Sequence, residues 1–301
     1  MPRPARRCAL AAAFAALLAP VAARAQAFTP PRGVLALTLA LQYVGNTGHR
    51  LDDGTLLRVG QSDDASLLLE GTYAATDRLA LTLGLPYVFA RYTSDGPSLA
   101  NLPVDTCRCW HSSFQDFALL ARYRLGGRAF AVTPTVGFVV PSHDYEYQGE
   151  AVVGRRLREA QLGVSAGWAP PRGPFAGFDV QASYAYAFVE RPIDLPVDRS
   201  FGALSVGWSP LARLHVGATA SWQATHGGLR VPADLDTLER FAQHDRILRD
   251  DFWRLGGGLS WSLGRFDVFA SYTAYVAGRN THDGHALTVG ASAYFGGPFG
   301  W

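Results

Sequence analysis

Along residues 78–93 every second side chain is large and apolar: Leu79, Leu81, Leu83, Leu85, Tyr87 and Phe89, with Ala80, Thr82 and Gly84 between them. A strand turns successive side chains to opposite faces, so this stretch has one oily face and one small or polar face. Six positions in phase are hard to obtain by chance. The pattern recurs across 33–43, 65–76, 114–125, 128–140, 160–168, 178–188, 200–209, 214–223, 252–263, 265–278 and 286–295. That makes twelve segments.

The connections follow a second rule. Short turns at Asp77, Gly126-Gly127, 170–174, 210–212 and Gly264 alternate with mostly longer links at 44–64, 92–112, 141–158, 191–199, 224–250 and 279–285. An even number of amphipathic strands with short turns at one end and longer loops at the other is the layout of bacterial outer-membrane barrels. Lipid gives exposed backbone no hydrogen-bond partner, so every strand edge must be paired and the sheet must close. The chain is therefore expected to be all-β: a closed antiparallel transmembrane β-barrel of about 12 strands. Tyr43, Tyr87, Tyr123, Trp168, Trp208, Trp222, Trp253 and Trp261 are expected at the membrane interfaces.

Before the first strand, residues 1–25 read as a signal peptide. Arg3, Arg6 and Arg7 supply the basic start, 8–21 the apolar core, and Ala23-Arg-Ala25 a small-x-small cleavage pattern before Gln26. The expected division is thus 1–25 leader and 26–301 barrel, in the bacterial cell outer membrane. Removing Arg3, Arg6, Arg7 and Arg24 takes the formal charge from +2 to about −2, and nothing argues for nucleic acid as a partner. About half the residues are apolar, yet beyond the leader no run is long enough for a transmembrane helix.

Two resemblances add to this reading. Leu287, Val289, Ala291, Ala293, Phe295, Phe299 and Trp301 share one parity up to a terminal aromatic residue, which resembles the closing strand of bacterial outer-membrane barrels. The resemblance implies an insertion signal at Phe295, Phe299 and Trp301, read by the barrel assembly machinery. Ser112-Ser-Phe-Gln-Asp116-Phe-Ala-Leu-Leu-Ala-Arg122-Tyr-Arg-Leu125 resembles a recurrent segment of the "MetA-pathway of phenol degradation" family of outer-membrane transporters, in which Gly-Asp, alternating apolar residues and Arg-Tyr follow one another. Gln115 stands where Gly is usual. Val139-Val-Pro141-Ser-His-Asp144-Tyr is similar to that family's Pro-Thr-Gly-Asp loop entry. What this implies is passage of small hydrophobic or aromatic solutes through outer-membrane lipid.

Glu70, Asp116, Arg122, Arg124, Asp179, Gln181, Arg254 and Asp267 fall on the inward parity. They either line a conduction path, where opposed charges orient small solutes, or pair up and fill a narrow lumen. Cys107 and Cys109, with His111 close by, lie in a long loop. An oxidising compartment favours a disulfide between the two, and a soft metal on Cys and His is the alternative. Residues 234–244 have helical spacing, with Asp236 and Glu239 placed as a capped start. Such a helix either lids the mouth or decorates a surface loop. No catalytic group, resident metal or cofactor is expected. A lipid hydrolase would draw on His111, His143, His215 or His226 with Ser113, Ser142 or Ser221, but none carries the flanking Ser-Asn-Gly context of known barrel lipases. A purely structural or adhesive barrel is the remaining alternative.

Overall fold

The computed structural model describes residues 27–58, 60–93, 109–149 and 151–297. The leader with its Ala25–Gln26 junction, Cys107, and Phe299 and Trp301 lie outside the described residues.

Twelve wall strands form among these residues. They are β1 Leu35–Arg50, β2 Gln61–Ala74, β3 Leu79–Thr93, and β4 in two pieces, His111–Phe114 and Phe117–Tyr123. Then follow β5 Phe130–Val140, β6 Glu159–Trp168, β7 Phe178–Val189 and β8 Val197–Leu211. β9 Leu214–Gly227, β10 Asp251–Ser262, β11 Phe266–Arg279 and β12 Thr281–Phe295 complete the wall. Each strand pairs antiparallel with its sequence neighbour, and β12 returns to β1 from Leu35↔Phe295 to Arg50↔Thr281. The described strands close into a barrel.

Its faces are reversed relative to a water-soluble protein. Leu39, Leu41, Leu83, Leu162, Leu259 and Phe266 are all more than half exposed on the outside, while Thr38, Gln42, Thr72, Thr82, Thr288 and Ser292 are buried on the inside. The inward hydroxyls and amides bond to one another across strand pairs: Thr38 to Ser292 at 2.8 Å, Gln42 Nε2 to Thr288 at 2.9 Å, Thr72 to Thr82 at 2.8 Å. Trp168, Trp208, Trp253 and Trp261 stand exposed on the outer surface, with Trp208 stacked on Phe178. An oily belt edged by aromatic rings is the surface that lipid selects.

Turn chemistry explains the short connections. Thr76 Oγ1 accepts from the amides of Arg78 and Leu79 and closes the β2–β3 turn. Gly264 at φ +80 closes β10 to β11 with open space around a would-be Cβ. Gly264→Ala should therefore cost only the left-handed backbone penalty, about 1–2 kcal/mol, read as a shift in guanidinium unfolding of the detergent-refolded barrel.

At the opposite end the strands run further than the alternation indicates. β1 reaches Arg50 and β2 starts at Gln61, so the 44–64 link shrinks to about half. A strand needs only about 10 residues to cross at a tilt, so a 16-residue β1 projects beyond the membrane. The 279–285 link is not a loop. Asn280 alone, at φ 48, turns β11 into β12, in a region that asparagine tolerates better than most residues.

β4 is broken where the sequence reads continuous. Tyr87 faces Phe114 but Gly84 faces Ala118, so one extra residue stands at Gln115–Asp116. Opposite them Pro86 has no amide hydrogen for a ladder bond, and the Gln115 amide bonds to its carbonyl at 3.0 Å instead. At this bulge two consecutive residues, Gln115 and Asp116, both line the lumen.

Candidate functional site: a two-chambered lumen

Among the described residues two cavities lie inside the wall. The lower, about 250 Å3, is at the turn end and is lined by Asp179, His215, Arg254, Asp267 and Tyr294 among others. The upper, about 340 Å3, is at the loop end. Thr38, Glu70, Arg122, Ala203 and Ser221 belong to both linings, so the chambers adjoin at a waist. There Glu70 of β2 and Arg122 of β4 interact electrostatically over the intervening β3, and Arg122 reaches Thr82 at 3.4 Å.

The floor is the segment preceding β1. Ala27 is fully buried. Its carbonyl accepts from Thr133 at 2.7 Å and its amide donates to Gln181 at 3.3 Å. On the other side Thr29 donates to the Asp77 carbonyl at 2.8 Å, and the Arg32 amide to the Asp77 carboxylate at 3.0 Å. The segment thus crosses the turn end from β5–β7 to the β2–β3 turn. Gly167 makes room for it, since a Cβ there would stand 2.6 Å from the Ala27 methyl and 2.7 Å from the Phe28 ring.

The roof is made by two loops that fold inward. In 141–158, Tyr145 and Val153 pack on Val88 and Ala90 of β3. The Tyr145 hydroxyl donates to Asp116 at 2.5 Å and accepts from the Arg156 amide at 2.7 Å. Burial, then the adjacent Asp116 carboxylate, pushes the Tyr145 phenol up, so it remains a donor. In 228–250, helix α1 spans Leu238–Ala242 and α2 His244–Ile247. The cap is Thr237, whose side chain accepts from the Arg240 amide, one residue beyond the expected Asp236, which pairs with Arg240 at 2.9 Å. Arg246 donates to the carbonyls of Arg155 at 2.7 Å and Arg156 at 3.1 Å and lies 3.8 Å over the Tyr147 ring. Ile247 packs with Leu157, Val189, Val197 and Leu229, and Asp245 and Leu248 face the upper chamber. Of the two readings left open for this loop, packing into the mouth is the one found.

The eight inward-parity residues separate into groups. Glu70 and Arg122 stand at the waist, Asp116 on the upper chamber, and Asp179, Arg254 and Asp267 on the lower one. Gln181 belongs to neither lining; its side chain accepts from the Ala27 amide and so holds the floor segment. Arg124 faces neither cavity; it clamps the turn-end rim through Thr29, the Gly127 carbonyl and the Asp77 carbonyl. Sequence reasoning missed Arg155, Glu159, Arg199, Asp245 and Asp250, which all line the upper chamber. Arg199 pairs with Glu159, which also accepts from Gln161 at 3.0 Å.

Cys109 is disulfide-bonded; its expected partner Cys107 lies outside the described residues. Among the described residues no group of three His, Cys, Asp or Glu side chains is placed to hold a metal ion. Serine–histidine contacts occur: Ser113 to His143 Nε2 at 3.1 Å, Ser142 to its Nδ1 at 2.8 Å, and Ser200 to His226 at 2.7 Å. Where a carboxylate joins, Asp179 and Ser209 both approach Nδ1 of His215, at 3.5 and 3.3 Å. A hydrolytic relay needs the nucleophile and the orienting carboxylate on opposite nitrogens of the histidine that serves as base.

Neither a family model nor a curated protein matches the chain. Among solved structures it is similar to the COG4313 outer membrane channel from Pseudomonas putida F1, with a TM-score of 0.67, 14% identity, and coverage of 89% of this chain and 98% of that one. The translocator domain of the autotransporter NalP from Neisseria meningitidis aligns at TM-score 0.48 and 13% identity over 88% and 90% of the two chains. The CymD monoaromatic hydrocarbon channel aligns at 0.47 and 12% over 89% and 90%. The first likeness shows a shared outer-membrane barrel fold, at an identity too low to carry function across.

Proposed function

We propose that this barrel is an outer-membrane channel for small hydrophobic or aromatic solutes. The observation that carries the reading is the pair of adjoining chambers running along the barrel. Their walls mix inward Leu68, Leu120 and Phe201 with charged groups at the waist, the blend that pockets for small organic molecules use. The likeness of the segment 112–125 to aromatic-degradation transporters supports the choice of solute. Solute enters beneath the two roof loops, passes the Glu70–Arg122 waist, which orients its polar end, and leaves past the floor segment. No energy input is needed for downhill flux.

Liposome swelling across sugars, phenols and alkanoates of matched size tests this. Phenols should enter at least several-fold faster than sugars, and Asp116→Ala and Arg122→Ala should alter the rate or the selectivity. Absence of flux for every solute would leave a structural barrel, and lipid turnover by refolded protein would point to the hydrolase.

The floor supplies a separate expectation. Gly167→Val removes the space that Ala27 and Phe28 occupy, so the segment should be displaced and single-channel conductance in planar bilayers should rise at least twofold. Unchanged conductance would show that the segment does not limit passage.

A further inference from the structure

The loop-end chamber holds hydrogen-bond acceptors that no donor among the described residues fills. Asp64, on β2, is 5% exposed and faces the chamber. Among the described residues no ion pair or hydrogen bond reaches its side chain, whereas its neighbour Asp63 is held by Arg91 at 2.6 Å and by the Tyr43 hydroxyl at 2.6 Å. Asn46, on the adjacent β1, is 2% exposed; its amide donates to Ser62 at 3.3 Å, but its Oδ1 accepts nothing. Asp250, from the roof loop, has an Oδ1 with no hydrogen bond while its other oxygen takes Gln223 Nε2 at 3.0 Å, and Asp245, lowered into the chamber by the same loop, has an Oδ1 that makes no hydrogen bond but lies 3.3 Å from Nε2 of its neighbour His244. Three separate segments thus aim empty acceptors at one space, and Asp64 and Asp245 are close enough to repel one another.

The charge count has the same sign. The chamber wall carries the six carboxyl groups of Asp64, Glu70, Asp116, Glu159, Asp245 and Asp250 against the guanidinium groups of Arg122, Arg155 and Arg199. Arg199 is taken by Glu159, and Arg155, whose Nη1 makes no hydrogen bond, lies among Asp250, Glu159 and Asp245, so carboxyl groups outnumber guanidinium groups around a solute entering there. A buried carboxylate without a counter-charge is strongly disfavoured. A donor cation relieves that penalty, and an ammonium brings up to three charge-assisted hydrogen bonds. The rest of the wall, including Leu68, Leu120, Phe201 and Leu248, suits an apolar body.

We propose that the upper chamber is a binding site for a small organic cation, an ammonium group on an apolar or aromatic frame, with Asp64 and Asp245 receiving the charge and Asn46 completing the cradle. It takes the chamber as part of the solute route argued above and names the head group that route accepts.

The test is isothermal titration of the full barrel in detergent with 2-phenylethylammonium, 3-phenylpropionate and ethylbenzene. The ammonium should bind at least tenfold more tightly than the carboxylate. Asp64→Asn and Asp245→Asn, nearly isosteric, should each weaken the ammonium about tenfold and leave ethylbenzene unchanged. Asn46→Asp, which adds a charge instead of removing one, should tighten it. Equal or tighter binding of the carboxylate, or an ammonium affinity untouched by all three substitutions, would overturn the assignment. Tight ammonium binding without liposome flux would uphold the site and sink the channel reading instead.

Discussion

Leu83→Arg should destabilise the lipid-embedded barrel by about 2–4 kcal/mol, the cost of placing a guanidinium on the outer face near the bilayer midplane. Leu83 lies mid-strand in β3, between Gly71 of β2 and Leu119 of β4, and is 54% exposed on the outer surface. In water that exposure would be a liability and an arginine would relieve it. In hydrocarbon the sign reverses, because the charge can reach the interface only by distorting the strand or the bilayer. Thr82→Arg is the contrast: its side chain points inward, beside Thr72 and Arg122, so its cost is steric and like-charge repulsion, not transfer into lipid. Guanidinium unfolding in phospholipid bilayers, repeated in short-chain detergent, separates the two. The Leu83→Arg penalty should grow with bilayer thickness and the Thr82→Arg penalty should not. A Leu83→Arg barrel as stable as the parent would mean that this face does not meet lipid.

The same property that makes Leu83→Arg costly made the fold legible. A barrel wall is one residue thick, so each side chain belongs to lipid or lumen, and period two records that choice directly: Leu79 to Phe89 mark the outer face of β3 with no tertiary information. What the period cannot record is a change of phase. Ser112 and Phe114 are exposed outward on even numbers and Leu119 and Tyr123 on odd ones, because Pro86 across the ladder forces an extra residue at Gln115–Asp116. The candidate site was readable only where it sits on strands. Glu70 and Arg122 carry the right parity and meet at the waist, and Asp64 shares the parity of Ser66 and Glu70 but fell within a span read as loop. Arg124 has inward parity too, yet its long side chain turns back to the rim. Tyr145, Arg155, Asp245 and Asp250 come from loops, whose inward course is set by buried contacts such as those of Ile247 and Val153 and leaves no periodic trace.

Arg199→Met should cost about 3–5 kcal/mol, the range for cutting one partner from a buried ion pair. Arg199 and Glu159 have side chains only 11% and 3% exposed, and the pair is a chord across the inside of the barrel from β8 to β6, passing over β7. Without the guanidinium, Glu159 keeps Gln161 Nε2 as a hydrogen-bond donor and Arg155 as the nearest cation. The loss should therefore fall toward the lower end of that range. The penalty comes from the stranded carboxylate more than from the missing attraction, so Arg199→Met/Glu159→Met should regain most of it. A double variant as unstable as the sum of the two singles would refute this account. The chord also narrows the upper chamber, since both side chains belong to its lining. The double variant should accordingly combine near-parental unfolding with faster entry of apolar solutes into liposomes, and with faster entry of bulky ones above all. Stability recovered without any gain in flux would place the rate-limiting constriction elsewhere, at the Glu70–Arg122 waist or at the floor segment.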